Sequence, residues 1–173
     1  MQTSLNIKEP GLNVFPLGVE RYVVNGGGLT GVQILPDDEI EIINDEGNQI
    51  CEITVFNKDG KSELGILNLK ESKNSSEIKK ILFNKNETSL QALYQLKKRN
   101  LDIEKSKSAI LFDKDTVAKE TIKLKSKDKC YCIISAPGNA MLVHEQNPST
   151  DLTILVYRAE KKQDKEFKVI PDP

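Results

Sequence analysis

Turn signals at intervals of about ten residues divide the first half of this chain into short apolar segments, which predicts β-strands. Three glycines follow residues 22–24, and further interruptions occur at Pro36-Asp37-Asp38, Asn44–Asn48 and Lys58–Lys61. Strands with this spacing are typical of an antiparallel sandwich or barrel. The predicted strands cover residues 22–24, 29–35, 39–42, 50–57, 64–69, 109–112, 121–124, 129–135 and 152–158.

The segment at about residues 75–100 departs from this pattern and predicts two short helices inserted between strands. Residues 75–77 read Ser-Ser-Glu, which is typical of a capped helix start, and Thr88 or Ser89 is the predicted cap of the second helix. A stripe at helical spacing follows, made of Leu90, Leu93, Tyr94 and Leu96. The fold class predicted is therefore α+β, with a β-rich sandwich or barrel-like core and an inserted two-helix segment.

The length and charge of the chain limit its organisation and its partners. Its 173 residues suit one β-rich domain over residues 1–160, followed by a charged tail and linker at 161–173. The chain has 25 basic and 26 acidic residues, and a net charge of −1 lacks the concentrated positive field that nucleic acid or a membrane surface requires. We therefore expect neither a nucleic-acid nor a membrane partner. Because no apolar run has the length of a signal peptide or a membrane span, the predicted location is cytoplasmic.

The chain has three cysteines, Cys51, Cys130 and Cys132, an odd number that fits a reducing compartment. Cys130 and Cys132 are two residues apart in a predicted strand, so their thiols point to the same face. A tetrahedral zinc site needs four donors, which only Cys51 and His144 could complete. Cysteines in such strands are usually small buried apolar residues, and we expect no metal here.

Histidine and carboxylate positions offer few catalytic combinations. His144 is the only histidine, and it lies in a loop-like stretch where it is either a ligand contact or an ordinary surface residue. Glu52 lies inside an apolar strand and either faces outward or points inward with a raised pKa. Most carboxylates from residue 37 to residue 46 are expected to be solvated charges at the sheet edges. The triple glycine lacks the helix that anion-binding loops precede, so a tight turn is predicted there.

Two segments resemble known proteins. The residues of the first that carry the resemblance are Asp38, Ile40, Ile42, Gly47, Asn48, Gln49, Glu52, Phe56 and Asn57. This pattern resembles the signature of the urea carboxylase-associated domain, although the acidic position, normally Asp, is Glu52 here. A later stretch, residues 135–152, is similar to multidomain aminomethyltransferase-like proteins of the trimethylamine-N-oxide demethylase type.

The resemblance implies that the chain is an N-terminal, non-catalytic domain of a folate-linked one-carbon enzyme of methylated-amine metabolism. Tetrahydrofolate and a metal ion would then bind elsewhere in the parent protein, with no cofactor in this domain. The implied partners are downstream domains of the same chain, with further copies of it in a homo-oligomer as a second option. Gln49 and Glu52 of the matched motif and His144 of the late loop are the predicted ligand-binding residues, and no catalytic residue is assigned. The alternative is a self-standing β-rich module that binds a small polar ligand or a protein partner.

Overall fold

Two β-sheets packed face to face form the body of the protein in the computed structural model, which describes residues 7–8, 18–73, 77–83, 87–138 and 149–159. The strands are β1 (Ile7–Lys8), β2 (Val19–Val24), β3 (Leu29–Ile34), β4 (Glu39–Asn44), β5 (Cys51–Asn57), β6 (Ser108–Phe112), β7 (Glu120–Lys125), β8 (Cys130–Ser135) and β9 (Leu152–Tyr157). Sheet 1 has the order β1-β3-β8-β5-β6, and sheet 2 has the order β2-β9-β4-β7. The pairings between these strands are antiparallel except β1 with β3. The predicted β-rich α+β fold is confirmed, and its core is a sandwich.

The core between the sheets follows from the alternation of apolar residues along each strand. In β4, Ile40, Ile42 and Asn44 are buried while the residues between them are only half-buried. Asn44 is the polar exception, and it lies at the end of its strand. The central strands of both sheets contribute to this core, including Val32, Ile34, Ile53, Val55, Cys132, Ile134, Ile154 and Val156.

The outer face of sheet 1 is covered by the helical insertion between β5 and β6. Helix α1 (Glu77–Leu82) and helix α2 (Glu87–Lys98) pack on this face. Phe56 and Ile133 of the sheet meet a second apolar cluster formed by Ile78, Leu82, Ala92, Leu96, Leu101 and Ile103. Because β5 is buried on both faces, its polar residues Glu52 and Thr54 are buried as well.

The register of the second helix differs from the prediction. Helix α2 begins at Glu87, so the two predicted cap residues, Thr88 and Ser89, both lie inside the helix. The Ser89 hydroxyl instead donates to the carbonyl of Ile81, at 2.7 Å, and ties the two helices together. The apolar stripe is also only partly buried. Leu96 is buried and Leu93 half-buried, whereas the other two members of the stripe, Leu90 and Tyr94, are exposed by 56% and 66%.

The predicted strand over residues 64–69 is wrong, because Leu64–Leu67 forms a short 3-10 helix. Strand pairing stops at Ser62, which bridges to Phe56. Leu64, Ile66 and Leu67 are all buried, and a strand with alternating faces cannot bury both Ile66 and its neighbour on one side. Among the described residues no helix has the length and apolar character needed to cross a membrane. The predicted tail at 161–173 lies outside the described residues.

Candidate functional site

Gln49, predicted to bind a ligand, is buried between β4 and β5 at one end of the sandwich. Its amide nitrogen donates to the carbonyls of Ile50 and Pro137, both at 2.9 Å. Its amide oxygen accepts from the backbone N–H of Thr150 at 2.8 Å. An amide nitrogen has two donors, so both are used within the protein. Gln49 therefore holds together residues 137 and 150, which belong to the two chain segments leading to and from the stretch that carries His144.

The triple-glycine turn packs against the same two segments. The amide of Gly27 donates to the carbonyl of Ala136 at 2.6 Å, and that of Gly26 to the Asp151 carboxylate at 2.9 Å. A side chain at Gly26 would place its Cβ 2.6 Å from the carbonyl oxygen of Ser149. Gly27 has a positive φ of 81°. The predicted tight turn is confirmed, and glycine is required here because another backbone approaches so closely.

Two buried oxygen atoms at this end of the sandwich have no hydrogen-bond partner among the residues that the structure describes. They are Oδ1 of Asn44 and the hydroxyl oxygen of Thr150. The Asn44 side-chain nitrogen uses one of its two donors on the carbonyl of Gln49, at 2.8 Å. Buried polar atoms are normally paired with protein or with water. These two oxygens are therefore the buried polar atoms of this end that the described residues leave unsatisfied.

Glu52 lies in a different environment, on the outer face of sheet 1 beneath the start of α1. One carboxylate oxygen accepts from the backbone N–H of Glu77 at 3.0 Å. Burial raises the pKa of Glu52, and this outweighs the opposite effect of hydrogen bonds from the backbones of Glu77 and Ile78 and from the Ser108 side chain. Both sequence-based alternatives are thus partly right. The side chain points away from the sandwich core, yet it is buried with a raised pKa.

The three cysteines are free and buried in the core between the sheets. The Cys130 and Cys132 sulfurs are 3.8 Å apart, as their shared face predicts. Cys132 lies opposite Val55 of β5. Cys51 is four residues before Val55, so it is displaced from Cys132 by about 13 Å along the strand direction. Burial raises the pKa of Cys51. The hydrogen bond between the other two thiols raises the pKa of Cys132 and lowers that of Cys130.

The described residues contain no group of three or more His, Cys, Asp or Glu side chains placed to hold a metal ion. Cys130 and Cys132 lie together, whereas Cys51 is distant along its strand. The candidate fourth donor, His144, lies outside the described residues, so its role as a metal or ligand contact stays a prediction.

A buried charged network was missed by sequence reasoning. Arg158 is 2% exposed and binds the Glu20 carboxylate through two hydrogen bonds of 3.0 and 2.9 Å. It also donates to Asp38 at 2.8 Å and to the carbonyl of Gln33 at 2.8 Å. Burial by itself would lower the pKa of Arg158, but the hydrogen bonds from Arg158 to the two carboxylates raise it. The network joins the end of β9 to β2 and to the turn between β3 and β4.

Asp38 corrects the expectation that the carboxylates near residues 37–46 are solvated edge charges. It is 1% exposed, and it accepts from the backbone amides of Leu35 and Ala159 as well as from Arg158. Asp37, beside it, is exposed as expected. The local sequence signal for a hydrogen-bonded Asp38 was the Pro-Asp-Asp turn, because an Asp in a turn can accept a hydrogen bond from a nearby backbone amide.

Comparison with known proteins finds one long match. Over 168 residues, the chain is 32% identical to a protein of Ruegeria pomeroyi named trimethylamine-oxide aldolase. The match covers 96% of this chain but only 21% of that protein. This chain matches a portion of a larger protein. No protein-family model matches the sequence, and the similarity to the urea carboxylase-associated domain stays a prediction.

Proposed function

We propose that this chain is a non-catalytic β-sandwich domain of a larger protein of the trimethylamine-oxide aldolase type. The observation that carries the proposal is the 32% identity extending along 96% of the chain. A match of this extent includes both sheets and the helical insertion, rather than one short motif. The corresponding region of the relative is about a fifth of that protein, which leaves most of the relative's length for other domains.

In this proposal the larger protein cleaves trimethylamine N-oxide into dimethylamine and formaldehyde. One C–N bond, the N–O bond and one C–H bond of the departing methyl group break. The oxygen forms the C=O bond of formaldehyde, and the hydrogen lost from that carbon is replaced by a proton on nitrogen, which gives the N–H bond of dimethylamine. The carbon is oxidised and the nitrogen is reduced by the same two electrons, so no external oxidant is needed. A metal ion acting as Lewis acid and tetrahydrofolate capturing the one-carbon unit would both be bound by other domains.

The role of this domain is then to support its neighbours rather than to perform chemistry. Buried polar side chains of the sandwich make their hydrogen bonds to other parts of the sandwich. Arg158 is paired with Glu20 and Asp38, and Gln49 bridges two chain segments. The three cysteine thiols are buried in the apolar core. Burial raises the pKa of Cys51 and so disfavours the thiolate form, which nucleophilic or metal chemistry requires.

The experiment that tests this proposal uses the R. pomeroyi protein with its matching region replaced by this chain. We expect the hybrid to release formaldehyde and dimethylamine in equal amounts from trimethylamine N-oxide, and the isolated 173-residue chain to release neither. The control is the same relative with the region deleted. Cleavage by the isolated chain would overturn the proposal, as would a polypeptide of only 19.4 kDa detected by antibody in the source cells.

A second candidate function is a self-standing module that binds a small polar ligand at the Gln49 end. The observation that favours it is that Oδ1 of Asn44 and the hydroxyl oxygen of Thr150 are buried and have no hydrogen-bond partner in the described part of the chain. An oxygen that accepts hydrogen bonds suits an N–H donor, such as dimethylammonium. Titration of the chain with dimethylammonium chloride, followed by NMR, should then shift the side-chain amide signals of Asn44. Tetramethylammonium, which has no N–H, is the matched control, and equal shifts with both salts would exclude the specific site.

A further inference from the structure

The helical insertion exposes large apolar side chains that the sandwich leaves uncovered. Leu90 and Tyr94 are exposed by 56% and 66%, and Phe83, at the end of α1, by 43%. These are half of the large apolar side chains exposed within the described residues; the others are Val23, Ile110 and Val117. Single exposed apolar residues are ordinary, but a concentration of large ones indicates an interaction site.

The spacing of Leu90 and Tyr94 makes them one surface. Residues four apart on a helix lie one above the other on the same face. The opposite side of α2 is occupied, because Ala92 and Leu96 are buried in the cluster on sheet 1 and the Ser89 hydroxyl bonds to α1. Helix α2 therefore has apolar residues on two sides, of which the described part of the chain covers one. We call the pair Leu90 and Tyr94 the α2 patch.

The charge around the α2 patch indicates what kind of partner surface would bind it. Residues 77–83 and 87–99 carry five basic and two acidic side chains, a net charge of +3 in a chain whose net charge is −1. Lys97 and Lys98 follow Tyr94 by one helical turn, and Lys98 is exposed. A partner surface would thus combine an apolar groove for Leu90 and Tyr94 with acidic residues at its rim. Aromatic residues are also enriched at the energetic centres of interfaces.

We propose that the α2 patch docks this domain against another domain of the larger polypeptide, on a surface with an apolar groove and an acidic rim. The inference rests on the proposed function, because the matched relative is about five times as long as the aligned region and therefore supplies such domains. Contacts between domains of one chain commonly combine apolar and polar residues in this way. A second copy of this chain would also fit the apolar residues, but it would bring two basic surfaces together and is therefore less favoured. A lipid surface is the remaining alternative, and the test below distinguishes it.

The test measures how fast a thiol placed on the patch reacts. The native cysteines are buried, so a single Leu90→Cys substitution provides the reactive site. Its labelling by a maleimide is compared between the isolated chain and the R. pomeroyi hybrid in which this chain replaces the matching region. We expect labelling to slow by about tenfold or more in the hybrid, since a docked side chain reacts only after local opening. Val117→Cys, 68% exposed on the turn between β6 and β7, is the matched control and should change by less than about twofold.

Equal labelling of Leu90→Cys in both proteins would overturn the proposal. It would also be overturned if the isolated chain alone were protected in proportion to its concentration, which would indicate a second copy. Binding of the isolated chain to anionic phospholipid vesicles, abolished by Leu90→Ser with Tyr94→Ser, would indicate a membrane surface instead. A hybrid that cleaves trimethylamine N-oxide while Leu90→Cys stays reactive would contradict the docking alone. A protected Leu90→Cys in a hybrid without this activity would contradict the proposed function alone.

Discussion

Arg158 at the end of β9 donates hydrogen bonds to both carboxylate oxygens of Glu20 on the neighbouring β2, at 3.0 and 2.9 Å, and both side chains are almost completely buried. A buried charge is costly unless it is paired and its remaining hydrogen-bonding groups are satisfied. Asp38 and the Gln33 carbonyl complete the shell around the guanidinium. The network closes the end of the sandwich where the last strand of the described chain meets the first long one.

Replacing Arg158 with methionine should therefore destabilise the protein strongly. The change leaves the Glu20 and Asp38 carboxylates buried without their cation, and breaking a buried pair in this way costs about 3–5 kcal/mol. Urea unfolding followed by circular dichroism measures the effect. Arg21→Met, on an exposed position beside it, should change the free energy of unfolding by less than about 0.5 kcal/mol. Equal stability of the two variants would mean that the network contributes nothing to folding.

Gln49→Met should also destabilise the protein, because it removes the bridge between residues 137 and 150. The Pro137 carbonyl and the Thr150 amide would lose their partner, and leaving such groups unpaired costs about 1–3 kcal/mol each. We expect a loss of about 2–4 kcal/mol in the same unfolding experiment. Gln91→Met, at an exposed position of α2, serves as the control. A loss no larger than that of the control would show that Gln49 is free to serve a ligand.

The raised pKa of Glu52 predicts a pH dependence of stability with a definite sign. The folded protein binds the Glu52 proton more tightly than the unfolded chain does. The resulting stabilisation is fully present below the ordinary glutamate pKa of about 4.3, and it is lost as the pH rises through the higher pKa of the folded state. Glu52→Gln, which stays neutral, should therefore be more stable than the natural chain at pH 7.

The same variant should show little advantage at a pH near 4, where Glu52 itself is protonated in the fold. Chemical unfolding at both pH values provides the comparison, and Glu46→Gln, at an exposed position, controls for the loss of one surface charge. If Glu52→Gln raised the free energy of unfolding equally at both pH values, this would contradict a raised pKa of Glu52 in the folded state.

Gly60→Ala should disrupt the contact between the β5 hairpin turn and the end of α2. Gly60 has a φ of 79°, and a Cβ there would lie 1.8 Å from the carbonyl oxygen of Asn100. Strained backbone and overpacking together predict a loss of about 2–5 kcal/mol. Gly65→Ala is the matched control, because nothing lies within 4 Å of its Cβ position, and we expect a change within about 0.5 kcal/mol. Thermal unfolding of the two variants in parallel would show whether this difference exists.

Local patterns were enough to predict most strands and the presence of the insertion. The alternation in Glu39–Asn44 and the turn residues around it specify a half-buried strand whatever surrounds it. The segment Leu64–Leu67 was predicted wrongly, because short apolar runs look the same in a strand and in a 3-10 helix that buries every apolar side chain. The stripe of Leu90, Leu93, Tyr94 and Leu96 likewise indicated an apolar helix, but periodicity does not show which members the fold covers, and Leu90 and Tyr94 are exposed.

The sequence by itself determined the β-rich class, the turns and the shared face of Cys130 and Cys132, because these depend on φ preferences and on the two-residue period of a strand. Only the tertiary structure decided that Asp38 and Glu20 meet Arg158, more than a hundred residues away. It alone decided that Gln49 bridges two segments and that Glu52 is buried beneath α1. Burial and pairing of polar groups depend on which distant backbone arrives beside them, and no local pattern records that.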